Sequence, residues 1–169
     1  MNLLFDKAFQ AYNIQFHVHR DYFECHEIME DAWKEKPTFT KQDPEVALIM
    51  LATALYHLRR QNTQGATTLF NKTKYLLSLN KHTLNDYLYV DDLIATIETL
   101  QHTLVYQPIK LPLKKIHYLP EVILPTDDIV HKHKRRDRTD VIRLRQQALN
   151  NKYPIQNAPN QTHDADETK

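Results

Sequence analysis

Phe5, Phe9, Tyr12 and Phe16 recur at steps of four, three and four residues, which lays an aromatic stripe along one side of a helix. Such a stripe either lines a groove for a ligand or faces a core, and its helical spacing predicts the core. Asp21 then stands as an N-cap, with Glu24 three residues on as in a capping box, and Pro37 closes a second helix near Lys36. Asp43-Pro44-Glu45 is a further start signal: a cap, a proline for the first turn and an acid at the positive helix end. The stretch from Val46 to Leu58 is apolar around nearly its whole circumference, so it predicts a helix with neighbours on every side.

Beyond a connection at Asn62 to Gly65, the positions Leu69, Phe70, Thr73, Leu76 and Leu77 predict a fourth helix from about Ala66 to Leu79. Asp91-Asp92 opens a fifth, with Leu93, Ile97, Leu100 and Leu104 at core spacing. Pro108, Pro112, Pro120 and Pro125 then punctuate an apolar, extended segment, residues 107–128, expected to lie as a strap over the bundle. The expected fold is therefore all-α: a five- to six-helix array around a buried central helix, with a proline-rich extended C-terminal strap. Residues 1–106 form the helical domain, 129–152 a basic segment with a short helix from Thr139 to Leu149, and 153–169 a polar tail expected to be disordered.

Composition narrows this further. Gly65 is the one glycine among 169 residues, too few for the hairpins and corners of a β-rich fold, or for a phosphate-cradling glycine loop. A net charge of +1 carries no overall bias toward nucleic acid, and the lone Cys25 fits a reducing, cytoplasmic setting. No signal peptide is expected at Met1 to Lys7, and the longest apolar run, Val46 to Leu58, is shorter than the roughly 20 residues of a membrane span.

The candidate chemistry lies on the second helix. Tyr22 to Trp33 holds an H-E-x-x-E-x-x-W pattern, and at about 100° per residue His26 and Glu30 fall on the arc of Tyr22, Phe23, Met29 and Trp33. An imidazole and a carboxylate on an apolar face need partners, because burying either alone costs several kcal/mol. His57, near the end of the apolar third helix, is one, with Arg59 and Arg60 following it. His26, Glu30 and His57 make a nitrogen and oxygen ligand set suited to zinc, manganese or iron, with Glu27 as base toward the water held by such an ion. The same residues also satisfy each other as a hydrogen-bonded network, completed by Arg60 and bordered by Tyr22 and by Trp33, a core residue or a lid, and a metal-free catalytic pair is the third reading. Cys25 is expected as a buried, inert thiol.

These residues carry a resemblance. Tyr22-Phe23-Glu24-Cys25-His26-Glu27-Ile28-Met29-Glu30-Asp31-Ala32-Trp33-Lys34, then Leu48 to Asn62 and Gly65-Ala66, resemble the domain of unknown function 309 over about residues 5–80. The resemblance implies a small all-helical array with a buried central helix. Its members carry the label of metal-dependent hydrolases, and the pattern highlights His26, Glu27, Glu30, Trp33, His57 and Arg60. One departure stands out: many relatives have glutamine where this chain has Met50.

The basic stretch of residues 131–145 is a second candidate. From Val130 to Lys152 there are eight Lys/Arg against two Asp, with His131 and His133, yet no aromatics interleave to stack bases. A nucleic-acid or protein contact there is set against a solvated charge run, and the latter is expected. Two functions follow. One is a cytoplasmic metal-binding hydrolase with a His/Glu site between two helices. The other is a non-catalytic interaction or scaffold protein whose His/Glu cluster is structural, with a basic tail for a partner.

Overall fold

The computed structural model describes residues 3–114, and beyond them Ile129 alone. Among the described residues lie six α-helices: α1 (Leu3–Ile14), α2 (Tyr22–Lys34), α3 (Pro44–Arg59), α4 (Thr63–Leu79), the single turn α5 (Lys81–Leu84) and α6 (Val90–Thr103). The expected all-α array is present. The basic segment 129–152 and the tail 153–169 lie outside the described residues, Ile129 apart.

The aromatic stripe of α1 faces the core as its spacing predicts, with Phe5, Phe9, Tyr12 and Phe16 all buried. The α-helix does not carry the whole stripe. A π-helical turn, Gln15–His19, takes over at its end, and Arg20 closes it with a left-handed φ of 52°. The wider turn changes which side chains face inward, so that Phe16, His17 and Val18 are buried in succession.

Helix α3 is the buried centre and packs against both α2 and α4. Ten apolar residues from Val46 to Leu58 are buried, and Ala47, Ala52 and Ala54 among them let neighbouring backbones approach. The phenol of Tyr12 donates to the backbone carbonyl of Leu48 at 2.8 Å, which ties α1 to the middle of this helix. One stripe of α3 stays partly open: Met50, Thr53 and His57, at steps of three and four.

Two caps differ from the sequence pattern. The Asp21 carboxylate accepts from the Glu24 N–H at 3.0 Å as expected, but the Asp21 N–H donates to the Gln15 carbonyl rather than closing a capping box. Asp43 occupies the N-cap position of α3 without a side-chain cap bond, because its carboxylate is turned back into the preceding loop. Helix α4 starts three residues earlier than its apolar pattern implies, since Asn62 caps it by accepting from the Gly65 N–H at 3.1 Å. The cap packs closely on Gly65: a Cβ there would meet Asn62 Nδ2 at 2.7 Å and push that side chain aside. Leu104 leaves the core stripe of α6, because it ends the helix at a left-handed φ of 52° and is partly exposed.

The described part of the strap, residues 107–114, lies on the bundle. Ile109 and Leu111 are buried, the Tyr89 N–H donates to the Pro112 carbonyl at 2.8 Å, and the Lys114 N–H donates to the Tyr87 carbonyl at 3.0 Å. The remainder of the strap, residues 115–128, lies outside the described residues.

Candidate metal and ligand site

Helix α2 buries Tyr22, Cys25, Met29 and Ala32. At about 100° per residue that stripe is centred roughly 80° from His26 and 120° from Glu30. The two polar residues therefore flank the core face instead of sharing it. Their side chains are 29% and 28% exposed, against the burial expected from their apolar neighbours in sequence.

His26 Nε2 lies 3.3 Å from Glu30 Oε2, and His26 Nδ1 lies 3.6 Å from Glu27 Oε1. The other Glu30 oxygen lies 2.6 Å from Lys34 Nζ, one turn further along. One ligand atom from each of His26, Glu27 and Glu30 lies within 4.8 Å of the other two. An imidazole and two carboxylates are a donor set that divalent first-row metals accept, so the residues present fit such an ion.

Two clefts meet at His26. The smaller, about 140 Å³, is lined by Tyr22, Phe23, His26, Thr53, Tyr56 and His57. The larger, about 510 Å³, holds His26, Glu30 and Trp33 from α2, Met50 from α3, and residues of the α2–α3 loop and α4. Both are floored by the partly open stripe of α3. Met50 thus lies in the same cleft as Glu30.

His57 faces the smaller cleft with His26 but is not one of the three residues gathered within 4.8 Å. Asn62 Nδ2 lies 3.2 Å from His57 Nδ1. Because the Asn62 oxygen already accepts from Gly65, its amide nitrogen must be the group facing the ring, and it donates. The neutral imidazole then carries its proton on Nε2. Arg60 donates to the Tyr56 hydroxyl at 3.1 Å and lies over that ring, so its guanidinium works on α3 itself.

Trp33 acts on the α2–α3 loop. Its indole N–H is shared between the Thr40 carbonyl at 3.0 Å and Asp43 Oδ2 at 3.2 Å, and its ring meets Phe39 edge-on. Lys36 joins Asp43 and Glu45 at 2.9 and 3.2 Å, completing a brace around the loop. Tyr22, though it borders the smaller cleft, shares its hydroxyl with Tyr106 at 2.7 Å. Burial foremost, and then that neighbouring phenol, push its ionisation well above the ordinary tyrosine range.

Sequence reasoning missed a second polar cluster behind α2. Arg20 is buried and donates to the Ile109 carbonyl, while Arg59 donates to the Arg20 carbonyl at 2.7 Å and lies over the rings of Tyr22 and Tyr106. His17, also buried, lies 3.0 Å from the Asn13 carbonyl through Nδ1 and accepts from the Leu111 N–H at 2.9 Å through Nε2. Burial pulls its pKa down to about 4, aided by the charges of Arg20 and Lys110 and opposed by the bond to Asn13. An arginine at a helix end is ordinarily solvated, so nothing in the pattern separated these two from the exposed kind.

The model of the family described as Domain of unknown function (DUF309) matches residues 9–69, which contain His26, Glu27, Glu30, Trp33, His57 and Arg60. The Uncharacterized protein YpuF of Bacillus subtilis (strain 168) is 35% identical over 167 residues, covering 86% of this chain and 95% of its own. No solved structure matches the chain. Among the described residues, no helix is long and apolar enough to cross a membrane. With a shared sequence across most of both chains and the family model spanning the His/Glu helix and the buried central one, the chain belongs to the DUF309 family.

Proposed function

We propose that this chain is a cytoplasmic metal-binding hydrolase whose site is the His26–Glu27–Glu30 edge of α2 and the clefts beside it. The observation that carries the reading is the gathering of three ligand atoms within 4.8 Å of one another at the rim of those clefts. A divalent ion there would polarise a substrate oxygen and lower the pKa of a coordinated water. His26 Nε2 and Glu30 would be the anchoring donors. Glu27 would take the water's proton, and its 3.6 Å approach to His26 Nδ1 supports that pairing. His57 would border, from the α3 side of the smaller cleft, charge that develops on the substrate. Lys34, 2.6 Å from one Glu30 oxygen, aims that carboxylate, while Met50 keeps the floor apolar.

A second reading has its own support. The 2.6 Å Lys34–Glu30 pair and the 3.3 Å Glu30–His26 contact form an i, i+4 ladder of the kind that stabilises helices without any ion. Metal analysis of protein purified without a histidine tag separates the two. The hydrolase reading expects a stoichiometric first-row metal, or a rise in melting temperature with added zinc, manganese or iron that Glu30→Gln abolishes. Neither metal nor rise leaves the ladder.

A further inference from the structure

We propose that the larger cleft is a binding site for a small organic anion, with Lys41 and Lys72 taking its charged group and the apolar floor taking its body. In volume, about 510 Å³, the cleft is of the size that accepts small molecules. Its floor is apolar, built from Ile49, Met50 and Leu76, and its rim carries two ammonium groups and one acid. The acid is Glu30, whose oxygens already face Lys34 and His26, so it does not neutralise the rim lysines.

Lys41 and Lys72 differ from the lysines around them. Lys34, Lys36, Lys74 and Lys81 all pair with carboxylates, whereas neither rim lysine makes an ion pair or side-chain hydrogen bond among the described residues. Two like charges facing one cleft without a counter-charge attract an anion.

The placement of Lys41 is built, although its side chain is exposed. The residue before it, Thr40, is held to α2 through the Trp33 indole and to Asp43 at 2.8 Å through its own N–H. The residue after it, Gln42, accepts from Asn80 Nδ2 at 2.8 Å, which fastens the loop to the end of α4. Lys41 therefore sits between two anchored neighbours on a loop that bridges α2 and α4. Lys72 lies on α4, one turn before Leu76 of the floor. A compact ammonium on each side suits a tetrahedral phosphate or a carboxylate, which need charge more than a planar fork.

The inference deepens the proposed hydrolase, naming an anionic substrate whose body extends toward the His26–Glu30 edge, and it rests on that reading only for the bond to be cut. Binding itself needs no ion. The test uses the untagged full chain with phenyl phosphate, phenylacetate and benzyl alcohol as probes, titrated by calorimetry with and without manganese, alongside manganese alone. At least one anion should bind and the alcohol should not. The Lys41→Gln/Lys72→Gln double variant should weaken the anion tenfold or more, at an unchanged melting temperature and unchanged affinity for manganese alone. Phenyl phosphate alone binding assigns a phosphate monoester, and phenylacetate alone a carboxylate. Equal binding to the double variant, binding of the neutral alcohol as tightly, or no anion binding overturns the proposal. Anion binding by a chain that takes up none of manganese, zinc and iron would sink the hydrolase reading and leave this site standing.

Discussion

His17 Nε2 accepts the backbone N–H of Leu111 at 2.9 Å, so an imidazole on the π-helical turn holds the strap to the bundle. That bond requires a bare nitrogen, and the Nδ1 contact with the Asn13 carbonyl requires the proton to sit on the other one. Both are met only by the neutral ring.

Acid should therefore loosen the strap. The folded-state pKa of His17 is lowered to about 4, below the value near 6.5 of an unfolded histidine, so the unfolded chain binds the extra proton between those limits. Stability from this group is full above about pH 6.5 and is lost as pH falls toward 4, by roughly 3 kcal/mol in all. Urea melts at pH 7 and pH 4.5 should differ accordingly, and His17→Gln should flatten that difference. An unchanged pH slope in the variant would remove His17 from the account.

Glu30→Ala should leave the fold almost intact. Its partners are the half-buried His26 and the mostly exposed Lys34, and pairs so placed contribute about 1 kcal/mol or less. The loss should appear instead in affinity for added metal. A melting temperature that collapses on this substitution would mean that Glu30 is buried more deeply than its 28% exposure allows.

Arg59→Ala should cost far more than its place in the last turn of α3 suggests. The substitution strips the hydrogen bond from the Arg20 carbonyl and the cation from the faces of Tyr22 and Tyr106, together worth about 2–3 kcal/mol. Arg59→Lys should recover only part, since an ammonium cannot lie flat on two rings while donating to that carbonyl. Denaturant midpoints of the two variants give the comparison, and near-equality of both with the parent would refute it.

What the sequence revealed divides along physical lines. Periodicity exposed α3, because an all-apolar circumference has few explanations, and it exposed the aromatic face of α1. It places His26 and Glu30 deeper than they sit, because the arc they share with Phe23 and Trp33 looks like a core face. The true stripe runs through Tyr22, Cys25, Met29 and Ala32, and Phe23 and Trp33 are themselves only partly buried. The π-helical turn left no trace, since one extra residue in a turn shifts the phase of a stripe without breaking it. The bonds of Asp43 to Trp33 and Lys36 were equally hidden: a cap motif fixes where a helix begins, not which donors its carboxylate prefers.

Cys25 offers a direct check of the α1–α2 packing. Its side chain is fully buried, its thiol approaches the Tyr12 carbonyl at 3.5 Å, and burial, reinforced by Asp21 and Glu24, pushes its pKa well above the ordinary thiol range. Thiolate is the reactive form, so the native protein should resist an aromatic disulfide reagent at pH 8 for as long as it stays folded. One equivalent should react promptly in denaturant. Labelling in native buffer should then proceed at the rate of global opening and accelerate with urea in step with unfolding. Rapid native labelling would show that α2 separates from α1 without the rest of the bundle, and the His26–Glu30 edge would then be carried on a mobile helix.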